Sequence, residues 1–557
     1  MGTKVNSNYE DLISFVRASG GGRATALRPV SYGTELVTNG DFSSGDLTGW
    51  TDASIGSSSA SVSLEELSIP RVDGSNNAKV YQALSTNVGG IYVITLDVSS
   101  AALYVRAGTG TSGSSSYNNL NDFGIGTALR FQFVATSSTT YLTIGTATAN
   151  GVTGKADNIS VKEVIFDESD GTLTLFEHPE NVPRVEYDAD GNRLGLLVEE
   201  ARTNLLTYSE DFTVQSGRWA NGQKGDTSLT SGLTESPSMS DSVWKLFATS
   251  GTGTQIIQED ATVSGATNVV GSVYLKKAEY KYGGIRLLDS SPSTGYSVFI
   301  DLDDGSVFDT STRGTPTTSD YRVQDAGNGW WRLSVITSSD GGSVNFTVGI
   351  SDGTSINSFD CVSFAGDGTS GIYIWGAQVE EGSFPTSYIK SNSGSTTTRS
   401  ADVASIPVAD FGYNQSAGTV VVTSSIISPQ TSQYNAFVQL VEDTNNRIDL
   451  GVLVNDGWQS IRTGGVDTAK YYTDGHNANI FDAGEVAITA LAFSPTSTNS
   501  SANGSLGTED TSSALPTAIQ TLKIGVDHTS RYANGHIKSI KYYPRRLSDA
   551  QLQDLTS

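Results

Sequence analysis

A chain of 557 residues is too long for one hydrophobic core, since cores stop growing near roughly 250–300 residues, so about three domains are expected. Its 60 glycines and only 17% charged residues favour short strands and turns, and its formal charge of −25 excludes nucleic acid or an anionic bilayer as a partner through general electrostatic attraction. One cysteine, Cys361, excludes an internal disulfide framework; the first residues hold no apolar signal core and no ~18-residue apolar run marks a membrane span, so the expectation is synthesis in a cytoplasm and exit by another route such as lysis.

In chain order, residues 1–33 read as an N-terminal attachment or ordering segment. Residues 34–164 read as a first jelly roll, opening on Glu35-Leu36-Val37-Thr38-Asn39-Gly40-Asp41-Phe42 with Trp50 beyond, and closing on the alternating run Asp157 to Val164. Between these, Tyr92 to Val98, Leu129 to Val134 and Tyr141 to Ile144 alternate apolar and polar residues, the period of a half-buried strand. A connector follows over 165–203. Residues 204–390 repeat the opening phrase, as Asn204 to Phe212 with Trp219 beyond, and the closing strand, as Ile372 to Glu380, so they read as a second, homologous jelly roll. Inside it Asp303-Asp304-Gly305 marks a hairpin. A Ser/Thr/Gly-rich linker over 391–407 leads to a third sandwich over 408–557, which opens on Gly418 to Thr423 and closes on His536 to Tyr543 and one short helix capped by Ser548. The fold class is all-β, tandem β-sandwich (jelly-roll) domains.

The run Gly195 to Leu205 with Tyr208-Ser209-Glu210-Asp211-Phe212, the phrase Gly327-Asn328-Gly329-Trp330-Trp331-Arg332-Leu333, and Trp375 to Gly382 ahead of Pro385-Thr386-Ser387-Tyr388-Ile389 together resemble a signature of bacteriophage tail-fibre and virion-surface proteins. Residues 34–164 resemble a jelly-roll carbohydrate-binding module, and 408–557, through Tyr542 to Leu552, resemble a concanavalin A-like (laminin-G-type) lectin domain. The resemblance implies a virion-attached homotrimer whose partners are itself, other virion proteins and host surface polysaccharide. In such relatives Phe15-Val16-Arg17-Ala18-Ser19 is expected to pass quickly to Val182-Pro183-Arg184, whereas here the first jelly roll lies between them.

Catalytic patterns are sparse. Asp301, Asp303 and Asp304 come closest to a paired-carboxylate arrangement, yet beside Gly305 they read as turn residues, and Glu199-Glu200 near Arg202 read as a structural ion pair or solvated face. His178, His476, His528 and His536 have no serine or cysteine partner motif, Cys361 reads as a buried inert thiol, and Gly20-Gly21-Gly22 reads as linker. No catalytic residue is assigned, and the expected class is non-enzymatic. Jelly-roll modules often hold a calcium between a carboxylate near the first strand and one opening the last, the places of Asp41 and Asp157, so a structural calcium is the one cofactor considered.

Glycan binding needs an aromatic platform for a sugar's apolar face and planar polar groups for its hydroxyls. Trp458 beside Asp456 and Gly457, Tyr471 and Tyr472 near Asp474 and His476, and Tyr117 with Asn118 and Asn119 are the candidates, in loop-like sequence. Trp50, Trp219, Trp244, Trp330 and Trp375 read as core. The expected function is adhesion to host surface glycans from a virion surface. The alternatives are a decoration or head-fibre protein without glycan affinity, and a polysaccharide depolymerase with an unrecognised catalytic pair.

Overall fold

The computed structural model describes residues 13–17, 24–111, 117–147, 150–213, 219–221, 227–231, 236–238, 243–290, 293–354, 356, 361, 363–391, 394–427, 434–471 and 478–557. The regular structure of the described chain is nearly all strand, and none of its helices is long and apolar enough to cross a membrane. It divides into two compact units, one over Pro29–Thr174 and the other built from Met1–Arg28 and the chain after Leu175.

The Pro29–Thr174 unit is the first jelly roll. One layer carries Gly126–Val134, Ile91–Ser100 and the long strand Val152–Phe166; the other is a five-stranded sheet running Thr51–Asp52, Lys79–Ser85, Thr139–Thr146, Leu103–Gly108 and Tyr117–Phe123. Alternate residues Tyr92, Ile94, Leu96 and Val98 point into the core against Leu142, Ile144, Leu103 and Val105, as period-2 patterning requires. The second jelly roll, in the other unit, packs two six-stranded sheets over a core that includes Trp219, Leu287, Val335, Phe346 and Ile374.

The repeated opening phrase has one structural job in both places. Trp50 donates its indole N–H to Asn39 O at 3.1 Å and lies 6.0 Å from the Phe42 ring; Trp219 donates to Tyr208 O at 2.8 Å and lies 4.7 Å from Phe212. Each tryptophan thus fills the core while closing the first turn onto it. Trp330 and Trp375 are also buried, whereas Trp244 is half-buried at the core's margin.

The third sandwich draws strands from three separate stretches of sequence. One seven-stranded sheet runs Ser14–Val16, Val403–Pro407, Thr521–Ile524, Tyr434–Asp443, Asn446–Leu453, Asp456–Thr463, Val466–Lys470; the other runs Val185–Tyr187, Arg193–Val198, Gly535–Tyr543, Gly418–Ile426, Ala487–Ser494, Ser497–Ala502, Ser505–Leu506. The segments read from sequence as attachment segment and connector therefore supply an edge strand and two sheet strands, and Phe15, Leu196 and Val198 belong to this core.

A buried ion network ties these stretches together. Arg184 pairs with Glu199 at 2.9 Å and with Asp402, Arg17 reaches Asp402 at 3.5 Å, and Arg399 reaches Glu199 at 3.5 Å. Arg17 also takes Asn181 Oδ1 on its backbone N–H at 3.0 Å and gives its guanidinium to Pro179 O at 2.5 Å. Arg17 thus lies beside the 179–184 stretch although the first jelly roll separates them in sequence, leaving after Arg28 and returning at Leu175. Burial works against the Glu199 carboxylate, but Arg399 and Arg184 hold it well below the usual range. The chain ends on the helix Asp549–Thr556, where Ser548 and Gln551 form a capping box.

Candidate functional site

The sheet of the third sandwich that contains Tyr434–Asp443 turns one face to the core and the other outward. Ile406, Leu522, Leu440, Ile448, Ile461 and Ala469 stand opposite one another on the core side. The next register position carries Ser14, Ser405, Lys523, Gln439, Asp449, Ser460 and Lys470 across all seven strands, a polar rung on the outer face. Tight connections hold this register. Asp443 Oδ1 accepts the Asn445 N–H at 2.7 Å in one hairpin, Val454 takes φ 59 in the next, and Gly464 and Gly465 take φ 59 and 81 in the third, the left-handed pair of a two-residue turn.

Polar residues on an outer face are ordinarily wet, yet Gln439 and Asp449 are almost wholly buried here. The strand-to-strand segment Asp527 to Arg531 brings His528 to Gln439, and the rings of Tyr434 and Trp458 stand 5.1 Å apart on the same face. Gly451 makes that aromatic pair fit: a Cβ there would meet Tyr434 Cε2 at 2.7 Å and Asn435 O at 2.2 Å. The Arg531 guanidinium lies 5.7 Å from the Tyr434 ring centroid, and Trp458 donates its indole N–H to Ser460 Oγ at 3.2 Å.

The hydrogen bonds converge on Asp449. Gln439 Nε2 donates to Oδ1 at 2.5 Å, and Arg447 Nε and Ser460 Oγ donate to Oδ2 at 3.1 and 3.2 Å. This fixes the Gln439 amide, whose Nε2 also donates to His528 Nδ1 at 3.2 Å, so the imidazole carries its proton on Nε2. Among the described residues, Gln439 Oε1 and Tyr434 Oη are buried and make no hydrogen bond, a cost of about 1–3 kcal/mol each that an internal water would offset.

Burial raises the Asp449 carboxyl above its ordinary range despite its three donors. Asp527 goes the other way: burial opposes ionisation, but the bonds from Arg531 and Thr529 win and lower it. Burial, then Arg447, lowers His528, which favours the neutral ring, and burial with Asp449 and Asp527 nearby holds the Tyr434 phenol well above its ordinary value.

Of the residues singled out from sequence, Trp458 stands on this face. Tyr471 does not: it is buried in the core of the third sandwich and its hydroxyl donates to Thr498 O at 2.6 Å, because the strand ending at Lys470 turns it inward. Tyr472, Asp474 and His476 lie outside the described residues. Tyr117 stands opposite Gly108 on an edge strand of the first jelly roll, and its side chain is outside the described part. Asp41 accepts from Ser43 on an exposed turn, and Asp157 is raised by burial, with Asp97, Glu66 and Asp41 adding like charge. The two carboxylates thus sense each other, but among the described residues no group of three or more His, Cys, Asp or Glu is placed to hold an ion. Gln439, Asp449 and Ser460 escaped the sequence reading, although their alternation with Val438, Ile448 and Ile461 was visible there.

Asp301, Asp303 and Asp304 form the turn expected of them, with Lys281 and Lys277 on Asp301 and Asp303 and Ser306 on Asp304. Cys361 is buried beside Ile256, Phe299 and Ile356. His178 is buried and held neutral by burial and then by Arg28; Arg28 donates to its Nε2 at 3.2 Å.

No protein-family model matches the chain, and no curated protein is significantly similar to it. Solved structures are similar at low identity. The CBM40 module of Ruminococcus gnavus IT-sialidase, bound to α2,3-sialyllactose, is 17% identical, with 26% of this chain and 84% of that one covered and a TM-score of 0.21. The tandem CBM22 modules of Paenibacillus barcinonensis Xyn10C are 11% identical, covering 65% and 100%, with a TM-score of 0.19. Trypanosoma rangeli sialidase is 12% identical, covering 97% and 94%, with a TM-score of 0.22. These likenesses concern fold alone and assign no activity. The expectation of a non-enzymatic chain is corrected by this last finding, a sialidase matched over 97% of the chain. What stands is an all-β chain of tandem β-sandwiches.

Proposed function

We propose that the chain is a glycan-binding protein whose third sandwich meets polysaccharide with the Tyr434–Trp458 face, in the setting of a virion surface. The observation that carries the binding reading is the Tyr434–Trp458 ring pair, with Trp458 half-buried on an outer sheet face lined by polar side chains. A pyranose offers C–H faces for the rings and hydroxyls for the polar side chains around them. The virion setting and a homotrimeric state rest on the tail-fibre phrases around Gly195 to Leu205, Gly327 to Leu333 and Trp375 to Gly382. Trimers would multiply weak contacts through effective concentration. A glycan array probed with the full chain tests the binding reading. Retention on at least one glycan, lost in Trp458→Ala, supports it; a chain that binds none overturns it.

A second reading, polysaccharide cleavage, is favoured by one observation. Asp449 and Asp527 share the face and their surroundings push their carboxyls in opposite directions, the pattern of a proton donor and a charged stabiliser. Release of reducing ends from a bound polysaccharide, abolished by Asp449→Asn, would establish cleavage. Intact polymer after prolonged incubation would leave binding alone.

A further inference from the structure

Around His528 the cations Arg447, Arg531 and Lys523 outnumber the carboxylates Asp449 and Asp527, on a chain whose formal net charge is −25. Three cations surround His528: Arg447, Arg531 and Lys523 all act to lower its pKa. The carboxylates of this neighbourhood are Asp449 and Asp527, and each is already engaged, Asp449 by Arg447 at 3.1 Å and Asp527 by Arg531 Nε at 2.7 Å. Lys523 stands in register with Gln439, is half-buried, and makes no ion pair or side-chain hydrogen bond among the described residues. It adjoins the residue whose Oε1 is unpaired.

Resting on the glycan-binding reading, we infer that the ligand of this face is an anionic sugar, its ring against Trp458 and Tyr434 and its negative group at Lys523 and Arg531. A neutral sugar would stack on the rings but leave Lys523 uncompensated on a surface that has partly excluded water. A carboxylate, sulfate or phosphate substituent compensates it and accepts from Arg531. The chain's net negative charge does not forbid this, because at physiological salt the Debye length is about 8 Å and a polymer docked on the face feels its nearest charges.

The test uses the full chain against an array holding neutral glycans and glycans with carboxylate, sulfate or phosphate groups, with Lys523→Gln and Trp458→Ala read in parallel. Binding confined to acidic glycans, weakened about tenfold or more by Lys523→Gln and by raising salt, is the expected result. Binding of neutral glycans at equal strength, unchanged by Lys523→Gln and lost in Trp458→Ala, overturns the charge inference while leaving the glycan-binding reading in place. Binding to nothing on the array overturns both. The acidic substituent is identified by which of the three classes is retained.

Discussion

Tyr434 and Trp458 are useful to a ligand only because Gly451 leaves room for them. Gly451→Val drives a side chain into the Tyr434 ring and the Asn435 carbonyl, so it should displace the aromatic pair and abolish binding, with loss of the near-ultraviolet dichroism of the pair as the readout. A second residue-scale prediction concerns Glu259, in the second jelly roll. It points inward between Ile257 and Ala261, takes the N–H and hydroxyl of Thr207 on one oxygen, and leaves the other unpaired. Burial pushes its carboxyl up to about 7, against the donors from Thr207. A raised carboxyl contributes stability that is complete below its unfolded value and lost as pH rises through the folded one. Stability should therefore fall between about pH 5 and pH 8, by on the order of 3 kcal/mol. Glu259→Gln should flatten that fall, and thermal melts across this range decide it. Single residues were unevenly legible. Trp458 could be picked out as an aromatic beside a turn, but Tyr471 looked the same and is core, because which parity faces in is set by the hairpin at Gly464 and Gly465.

At the scale of elements, alternation gave most strands their place, and the repeated opening and closing phrases marked two homologous sandwiches. It could not reveal that Ser14–Val16 and Arg193–Val198 pair into the third sandwich, since strands that short join sheets through contacts distant in sequence. The same distance hid the candidate site: Gln439 and Asp449 went unmarked in sequence, and it is the remote segment 527–531 that meets them in the fold. The ion network that holds the distant strands is testable. Asp402→Ala leaves Arg184 and Arg17 buried without their shared carboxylate, which should cost about 3–5 kcal/mol and lower the melting temperature sharply. Ser548→Ala, by contrast, removes one helix cap and should cost only about 1 kcal/mol.

For the whole molecule, the first jelly roll is an excursion from a frame that closes without it, because Arg17 already meets Pro179 and Asn181. Deleting 29–174 and joining Arg28 to Leu175 through a short glycine link should leave a chain that melts cooperatively; an aggregated product would contradict the insertion. Light scattering of the intact chain tests the proposed trimer against the 58.6 kDa single-chain mass. The central claim is that polysaccharide is met by the outer face of the third sandwich, and hydrogen–deuterium exchange of the full chain, with and without a glycan retained on the array, tests it most directly. Protection concentrated in 434–462 and 521–533 is the result the account predicts. Protection confined to either jelly roll, with those two segments exchanging as in the free chain, would contradict it.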